Sequence, residues 1–328
     1  MMAPWIERQL SQLLQRQGHA WLLQGPSGLG QFELGLALAK AWLCEQPTPQ
    51  GACGTCSSCH AVEVHTHADM HALLPETLMV DLGWPLHEKA QKELDEKKRK
   101  PSKEIRIDAM RDAVEFAQRT DARGRGKVVV VYPAERMNHV TANALLKTLE
   151  EPAGKLRFVL ASEAAHQLLP TIRSRCQVHT MAWPDTTEAL AWLQAQGLAA
   201  PDAQAALHLA GGRPEDALVA AQTGEGTRGR ADWPKALARG DYTSVPDWTP
   251  AGTLVALQKL CHDLHAVAVG AAPRFFDAEQ LPRPPSLAAL SAWGKALRRQ
   301  TLTVEHPFNP GLLREAVLDE GHRVLRLL

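Results

Sequence analysis

The amino-acid sequence predicts an α/β domain built on a parallel sheet, followed by helical domains. Short apolar strands alternate with helical patterns as far as residue 183, which is typical of a doubly wound parallel sheet. A glycine-rich loop joins the first of these strands to a helix. Beyond Trp183-Pro184 strand-like runs largely cease, and helical patterns continue to the end of the chain.

Length and composition indicate a multidomain globular protein. The chain has 328 residues, of which 45% are hydrophobic and 22% are charged. Its 36 basic and 36 acidic residues cancel, so no chain-wide charge attracts nucleic acid. No apolar run approaches the roughly 18 residues of a membrane span. Since the amino terminus also lacks a charged-then-apolar signal, we expect a cytoplasmic protein without a membrane partner.

The first elements are an amphipathic helix over residues 5–17, a short strand and a loop that contains Gly25, Gly28 and Gly30. In the phosphate-binding P-loop, Gly-x4-Gly-Lys-Ser/Thr, backbone N–H groups cradle phosphate, the lysine reaches the terminal phosphates and the hydroxyl holds Mg²⁺. Here Gln31 replaces the lysine and Phe32 replaces the hydroxyl residue. The sequence therefore predicts the scaffold of a nucleotide site without the two side chains that operate it.

Four of the six cysteines follow the helix after this loop, with the spacing Cys-x8-Cys-x2-Cys-x2-Cys. In a reducing compartment such clustering favours a metal over disulfides, and four thiolates suit tetrahedral zinc. The iron–sulfur run with the same beginning continues x3-Cys-Pro, which this chain lacks. Unligated cysteines are the remaining alternative. We predict a structural zinc site formed by Cys44, Cys53, Cys56 and Cys59.

Two features between the cysteines and the next strand allow more than one interpretation. Alternate positions hold His65, His67, Asp69 and His71, so an extended chain would direct these side chains to one face. A second metal site is conceivable there, and a structural role is commoner for such histidines. Residues 75–104 are typical of a charged insertion with a basic run at 97–100. A solvated, mobile helix and loop is favoured there over a DNA contact.

Further strands are predicted at residues 127–132 and 157–161, where apolar runs are typical of strands buried on both faces. Three short helical patterns between Thr187 and Gly224 predict a small three-helix domain, and residues 225–250 are typical of a linker with one short helix at Lys235–Ala238. Three longer helical patterns follow, at residues 251–270, 286–299 and 310–328. We therefore predict domains at 1–183, 184–225 and 226–328.

Three motifs in order resemble the AAA+ clamp-loader family. They are the glycine loop, the Asn-Ala-Leu-Leu-Lys-Thr-Leu-Glu-Glu-Pro helix at Asn143–Pro152, and Ser174-Arg175-Cys176. The four-cysteine insert narrows the resemblance to the bacterial branch. It implies a RecA-like P-loop domain with a zinc module at residues 44–60, then a three-helix lid domain and an all-helical collar domain through which such subunits form a ring.

The resemblance also implies that this chain does not use ATP. In an ATP-using relative, Asp-Glu follows the strand that ends here at Val131 and orders Mg²⁺ and the attacking water. Tyr132 and Pro133 stand in those two places. Alignment on Asp-Ala-Leu puts Glu215 where the second-sensor arginine would be, although Arg213 lies nearby. With Gln31 and Phe32 these changes predict no hydrolysis and no useful ATP binding.

In this family the arginine of Ser-Arg-Cys projects from the subunit edge into a neighbour's ATP site. The resemblance therefore implies that Arg175 acts in trans as an arginine finger; Arg173 is a weaker candidate, and an ion pair at the domain edge is the alternative. The implied protein is a non-catalytic clamp-loader subunit of the DNA polymerase III holoenzyme, which helps to load the sliding clamp on primed DNA. Its implied partners are ATPase subunits and a clamp-opening subunit in a hetero-oligomeric ring, primer–template DNA through the complex, and the sliding clamp indirectly or weakly.

Two other classes of function fit parts of the sequence. An unorthodox ATPase would use the glycine loop, but Gln31 and Phe32 argue directly against it. A zinc-containing nucleic-acid-binding protein would use the cysteines and the basic run at 97–100. The neutral overall charge and the few basic residues around the cysteines argue against that class.

Overall fold

The computed structural model describes residues 2–222, 232–304, 306 and 308–326. The chain divides into two compact units, Met1–Pro184 and Asp185–Leu328. Within the described residues, no helix combines the length and the apolar character needed to cross a membrane.

The first unit is built on a five-stranded sheet in which the neighbouring strands pair in parallel. The spatial order is β2-β3-β4-β1-β5. The strands are β1 (Ala20–Gln24), β2 (Met70–Leu73), β3 (Lys127–Val131), β4 (Leu156–Ser162) and β5 (Gln177–Thr180). The predicted parallel α/β fold is confirmed, and β1, which leads into the glycine loop, lies between β4 and β5.

Helices cover both faces of this sheet. They are α1 (Pro4–Leu14), α2 (Gln31–Leu43), α3 (Ser57–Glu63), α4 (Glu76–Asp81), α5 (Glu88–Asp95), α6 (Ile107–Gln118), α7 (His139–Glu150) and α8 (Pro170–Arg173). On one face α2 approaches closely at Gly35, where an added Cβ would lie 3.2 Å from Val159. On the other face α6 and α7 share a buried apolar core with Val129 and Phe158. Successive strand residues therefore point to opposite, equally buried layers.

The charged insertion at residues 75–104 is packed more closely than predicted. Glu76 is buried and accepts hydrogen bonds from Arg99 Nη2 and from the N–H of Ser102, both at 2.8 Å. Arg99 also donates from Nε to Glu93 at 2.7 Å. Most described residues of the segment 88–103 are exposed and its first part is helical, as predicted. Arg99 of the basic run is the exception, since it joins the end of the insertion to its first helix.

The second unit is helical throughout its described residues. Its helices are α9 (Thr186–Ala195), α10 (Ala200–Leu209), α11 (Pro214–Gln222), α12 (Trp233–Ala238), α13 (Pro250–Ala268), α14 (Leu287–Thr303) and α15 (Pro310–Leu325). Helices α9 to α11 enclose one apolar cluster, and α12 to α15 enclose another. The short helix predicted at Lys235–Ala238 is confirmed by α12. Trp233 and Val245 are buried in the second cluster, so the linker prediction is wrong for these two residues. The predicted boundary at residues 225–226 lies outside the described residues.

Candidate functional site

The glycine loop keeps the backbone geometry of a phosphate-binding turn. Gly28 and Gly30 have φ angles of 76° and 89°, a region that residues with a Cβ rarely adopt, and Gly30 caps the amino terminus of α2. Gly25 lies against β5, since an added Cβ would meet Met181 Cβ at 2.9 Å. These three predicted positions therefore have a steric or conformational reason to be glycine.

Gln31 closes this loop from within. Its side chain is buried, and Nε2 donates hydrogen bonds to the carbonyl oxygens of Gly25 at 2.9 Å and Pro26 at 2.7 Å. The indole Nε1 of Trp5 donates to a third loop carbonyl, that of Leu29, at 3.1 Å. Since the side-chain amide of Gln31 has two hydrogens to donate, both are directed to the loop itself. The residue in the lysine position thus fixes the turn.

Phe32 and Tyr132 occupy the hydroxyl position and the first acidic position of the family pattern, and they contact each other. Their rings stack with centroids 4.8 Å apart and planes 15° apart. Phe32 is buried, while the Tyr132 hydroxyl donates to Glu163 at 2.6 Å. Pro133 follows and has no backbone N–H to donate. The two positions that would share Mg²⁺ in an ATPase are joined here by an aromatic pair.

The insertion extends this aromatic pair. Trp84 lies 6.5 Å from Phe32 between ring centroids and is buried, although it belongs to the charged segment. His65 stacks on the indole of Trp84 at 3.8 Å. We call the four rings of His65, Trp84, Phe32 and Tyr132 the aromatic wall. Sequence reasoning missed Trp84; the available signal was a mostly apolar stretch at residues 78–86 inside the charged insertion.

The four predicted cysteine ligands come together. Their sulfur atoms all lie within 4.8 Å of one another, with separations of 3.4 Å (Cys56–Cys59), 3.8 Å (Cys44–Cys56) and 3.9 Å (Cys53–Cys59). Tetrahedral zinc with Zn–S bonds of about 2.3 Å requires sulfur atoms about 3.8 Å apart. The cluster therefore has the donor set and the dimensions to hold one metal ion.

The surroundings of the cysteines change the pKa values of their thiols in opposite directions. The N–H groups of Thr55 and Cys56 lower the pKa of Cys53 to about 6, whereas burial raises the pKa of Cys59 to about 12. Cys56 caps α3, because its sulfur accepts the N–H of Cys59 at 3.4 Å. A bound Zn²⁺ deprotonates coordinating thiols, so it offsets the unfavourable burial of Cys59.

A polar network attaches the cysteine module to the sheet. Glu45 accepts hydrogen bonds from Ser57 Oγ at 2.7 Å and from Arg123 Nη1 at 3.1 Å. The backbone N–H of Arg123 in turn donates to Asp69 at 3.0 Å, next to a bond of 2.7 Å from Ala122. Asp69 is buried and directly precedes β2. The network therefore connects the cysteine module to β2 and to the turn before β3. These residues carry no recognisable sequence signal.

The alternating histidines do not form a second site. His67 is buried and its Nδ1 accepts the N–H of Asp69 at 3.0 Å, while His71 packs against Phe116 with ring centroids 5.4 Å apart. Burial lowers the pKa of both histidines, which favours neutral rings. Across the described part of the chain, the four cysteines are the only group of three or more side chains placed to hold a metal. The structural interpretation of the histidines is therefore the better one.

Arg175 follows α8 at the edge of the first unit, with 34% of its side chain exposed. Its Nε donates to Glu150 Oε1 at 2.5 Å, and its Nη1 donates to the carbonyl of Thr171 at 2.7 Å. Glu150 belongs to the Asn143–Pro152 motif, so two of the family motifs meet in this ion pair. Arg173, the weaker candidate, is exposed.

Glu215 lies in the first turn of α11 in the second unit and is half-buried. The neighbouring Arg213 pairs with Asp216, Nε to Oδ2 at 2.8 Å. An acidic residue in the first turn of a helix is stabilised by the helix dipole, so Glu215 has a local structural role available.

Comparison with known proteins follows the same division of the chain. The family described as "DNA polymerase III, delta subunit" matches residues 4–184. The DNA polymerase III subunit delta-prime of Pseudomonas aeruginosa is 38% identical over 216 residues, which are 64% of this chain and 58% of that protein. The subunit delta-prime of Escherichia coli is 34% identical over 253 residues, 75% of this chain and 67% of that protein. The tau subunit of Escherichia coli is 31% identical over 170 residues, 52% of this chain and 22% of that protein.

The parallel sheet, the altered glycine loop and these matches define a protein of the clamp-loader class. The family match covers more than half of this chain. The chain belongs to the family of DNA polymerase III delta-prime subunits, which confirms the resemblance found in the sequence.

Proposed function

We propose that this protein is a non-catalytic subunit of a bacterial clamp loader and acts in DNA replication. In this role it sits beside ATPase subunits and a clamp-opening subunit in a hetero-oligomeric ring and helps them to load the sliding clamp on primer–template DNA. The single observation that carries the proposal is the contact between Phe32 and Tyr132, since both replace residues that an ATPase needs.

In this proposal the nucleotide site is inactive because side chains of the protein bond to the loop and pack beside it in place of a nucleotide. A lysine and a hydroxyl would each form a charge-assisted or Mg²⁺-directed bond, and their loss removes about 1.5–3 kcal/mol per charged hydrogen bond. Gln31 instead donates to the loop carbonyls, and the aromatic wall occupies the space beside the turn. Titration calorimetry of the isolated, zinc-loaded protein with Mg-ATP should therefore detect no binding in the micromolar range.

In the proposal, Arg175 places its guanidinium in the ATP site of the neighbouring subunit. A guanidinium at a γ-phosphate stabilises the charge of the transition state and accelerates hydrolysis by about 10³–10⁵ in the best-studied cases. The partial exposure of Arg175 and its position after a short helix support this role. The lid role of α9–α11, with Glu215 in the sensor position, and the collar role of α12–α15 are parts of the same proposal.

The test is reconstitution of the clamp loader with Arg175→Ala. We expect single-turnover ATP hydrolysis at the adjacent site to fall about 10³-fold, because only that site loses the cation. Arg173→Ala is the matched control, since it removes a similar exposed charge two residues earlier. Normal hydrolysis with Arg175→Ala, or an equal loss with Arg173→Ala, would show that the finger assignment is wrong.

Zinc is proposed as the resident metal of Cys44, Cys53, Cys56 and Cys59. The all-thiolate donor set and the sulfur separations favour zinc over harder cations such as Mg²⁺ or Ca²⁺. Elemental analysis of protein purified without added metal should give one zinc per chain.

A further inference from the structure

Two arginines line a concavity at the edge of the sheet where the strands begin. Arg125 lies in the turn before β3, and Arg157 is the second residue of β4. The adjoining cavity has a volume of about 380 Å³ and is also bounded by Trp42, Pro47 and Pro49. The glycine loop follows the carboxyl end of β1. This cavity therefore lies at the other end of the parallel strands, where they begin.

The neighbouring basic residues are already engaged. Arg123 donates to Glu45 at 3.1 Å, and the buried Lys127 donates to the carbonyl of Phe116 at 2.5 Å. By contrast, neither Arg125 nor Arg157 forms an ion pair with any carboxylate of the described residues.

The only attraction that the described residues offer to either charge is the indole of Trp42, which lies under the guanidinium of Arg157. Asp121, the acid of the same turn, accepts the N–H of Gly126 at 3.0 Å. The guanidinium of Arg157 lies 5.2 Å from the ring centroid of Trp42. Burial, and then the nearby charge of Arg125, lower the pKa of Arg157, so the two cations repel each other. A bound anion would relieve this repulsion.

We propose that this concavity binds a nucleotide unit of single-stranded nucleic acid. Each guanidinium can donate paired hydrogen bonds to a phosphodiester. Arg157 covers one face of the Trp42 indole, so the rest of that ring and the two proline rings form the apolar wall on which a base or sugar can pack. Only an unpaired base can be turned into a cavity of this size, which favours a single strand over a duplex.

Binding of a fluorescent oligothymidylate to the isolated, zinc-loaded chain, followed by anisotropy at several salt concentrations, tests this site. We expect Arg125→Gln and Arg157→Gln each to weaken binding about 10-fold. Each should also reduce the slope of log affinity against log salt by about 0.7. Arg157→Lys, which keeps the charge and loses the paired donors, should bind between wild type and Arg157→Gln. Arg111→Gln is the control, because Arg111 is exposed on α6 and pairs with Asp108.

Three results would overturn the site: no binding by the wild-type chain, unchanged affinity in both glutamine variants, or an equal loss in Arg111→Gln. A glutamate-rich peptide that displaces the oligonucleotide at lower concentration would instead assign the arginines to an acidic protein partner. Arg125 lies in a turn, so its variant keeps the test valid if Arg157→Gln is unstable. Because the assay uses the isolated chain, its outcome is independent of the role proposed for Arg175.

Discussion

The glycine loop lies at the carboxyl ends of the strands of the sheet, and the turn that carries Arg175 lies at their amino ends. The loop follows the carboxyl end of β1, whereas Arg175 precedes the amino end of β5, the neighbouring parallel strand. In the loop, the substituted side chains turn inward: Gln31 donates to the loop carbonyls and Phe32 stacks on Tyr132. At the amino ends the charged group stays partly exposed.

The two regions differ in how their polar groups are satisfied, which supports the proposal that the loop has lost nucleotide chemistry while Arg175 acts on a neighbour. Buried polar groups must be satisfied within the protein, and the loop does so with its own carbonyls. Arg175 is held at the surface by an ion pair with Glu150 and by bonds to the Thr171 carbonyl and the Ser174 hydroxyl. An exposed ion pair contributes little to stability and can be exchanged for another anion. The comparison predicts that perturbing the loop changes stability, whereas perturbing the turn at Arg175 changes the neighbour's chemistry.

Removal of the metal should have the largest effect and should be confined to the cysteine module and the end of α2 that precedes it. Structural zinc binds with about 10 kcal/mol or more of free energy, and Cys44 directly follows α2, the helix that begins at Gln31. We expect chelation to abolish hydrogen-exchange protection in α3 and the end of α2. Protection near Arg175 should persist, since it belongs to a different part of the core. Mass spectrometry of exchange measures both regions, and equal loss in both would show that the metal also stabilises the turn at Arg175.

Phe32→Ser should be the next largest perturbation. Truncating a buried phenylalanine costs about 3–5 kcal/mol of unfolding free energy, and this change also breaks the stack with Tyr132. Tyr132→Phe is the matched control; it keeps the ring and loses the bond to Glu163, so about 1–3 kcal/mol is expected. Denaturant titrations that give the same loss for both variants would show that the aromatic stack is not the stabilising element.

The sequence predicts the glycine loop and the cysteine cluster, but it does not predict whether losing the metal or losing the Phe32 ring destabilises the protein more. Strands β1, β3 and β4 are central and almost wholly buried, so continuous apolar runs identify them. The cysteine spacing likewise predicts a cluster that the fold brings together. In each case one local pattern contains the information.

Features that depend on distant partners were not predicted. Strands β2 and β5 are short edge strands with exposed or half-buried residues such as His71 and Val178, so no apolar run marks them. The aromatic wall joins residues from four separate segments. The pairing of Arg99 with Glu76 likewise spans the length of the insertion. Local patterns report propensity and burial, but they do not report which distant side chain becomes a neighbour.

Restoring the lysine and the hydroxyl of the P-loop tests whether Gln31 and Phe32 alone prevent nucleotide binding. We expect the double variant Gln31→Lys, Phe32→Thr to bind Mg-ATP no tighter than about 1 mM, or −4.1 kcal/mol, because Tyr132 and Pro133 still replace the acidic pair. Calorimetry measures the affinity, and circular dichroism checks that the variant remains folded. Micromolar binding by this variant would place the whole defect in two residues and weaken the importance of the Phe32–Tyr132 contact.

Glu150→Gln should have the smallest effect and tests the other side of the comparison. In the proposed finger role, Glu150 has to release Arg175 before the guanidinium can reach a neighbour's phosphate; the carboxylate is 44% exposed. Exposed ion pairs are worth about 0.2–1 kcal/mol, so the change should alter the unfolding free energy by about that amount or less. It should accelerate hydrolysis at the adjacent site by about 5-fold at most, measured in the reconstituted complex under single-turnover conditions. A slower reaction would mean that Glu150 positions Arg175 for the transition state, because a merely competing carboxylate cannot aid the step that it delays.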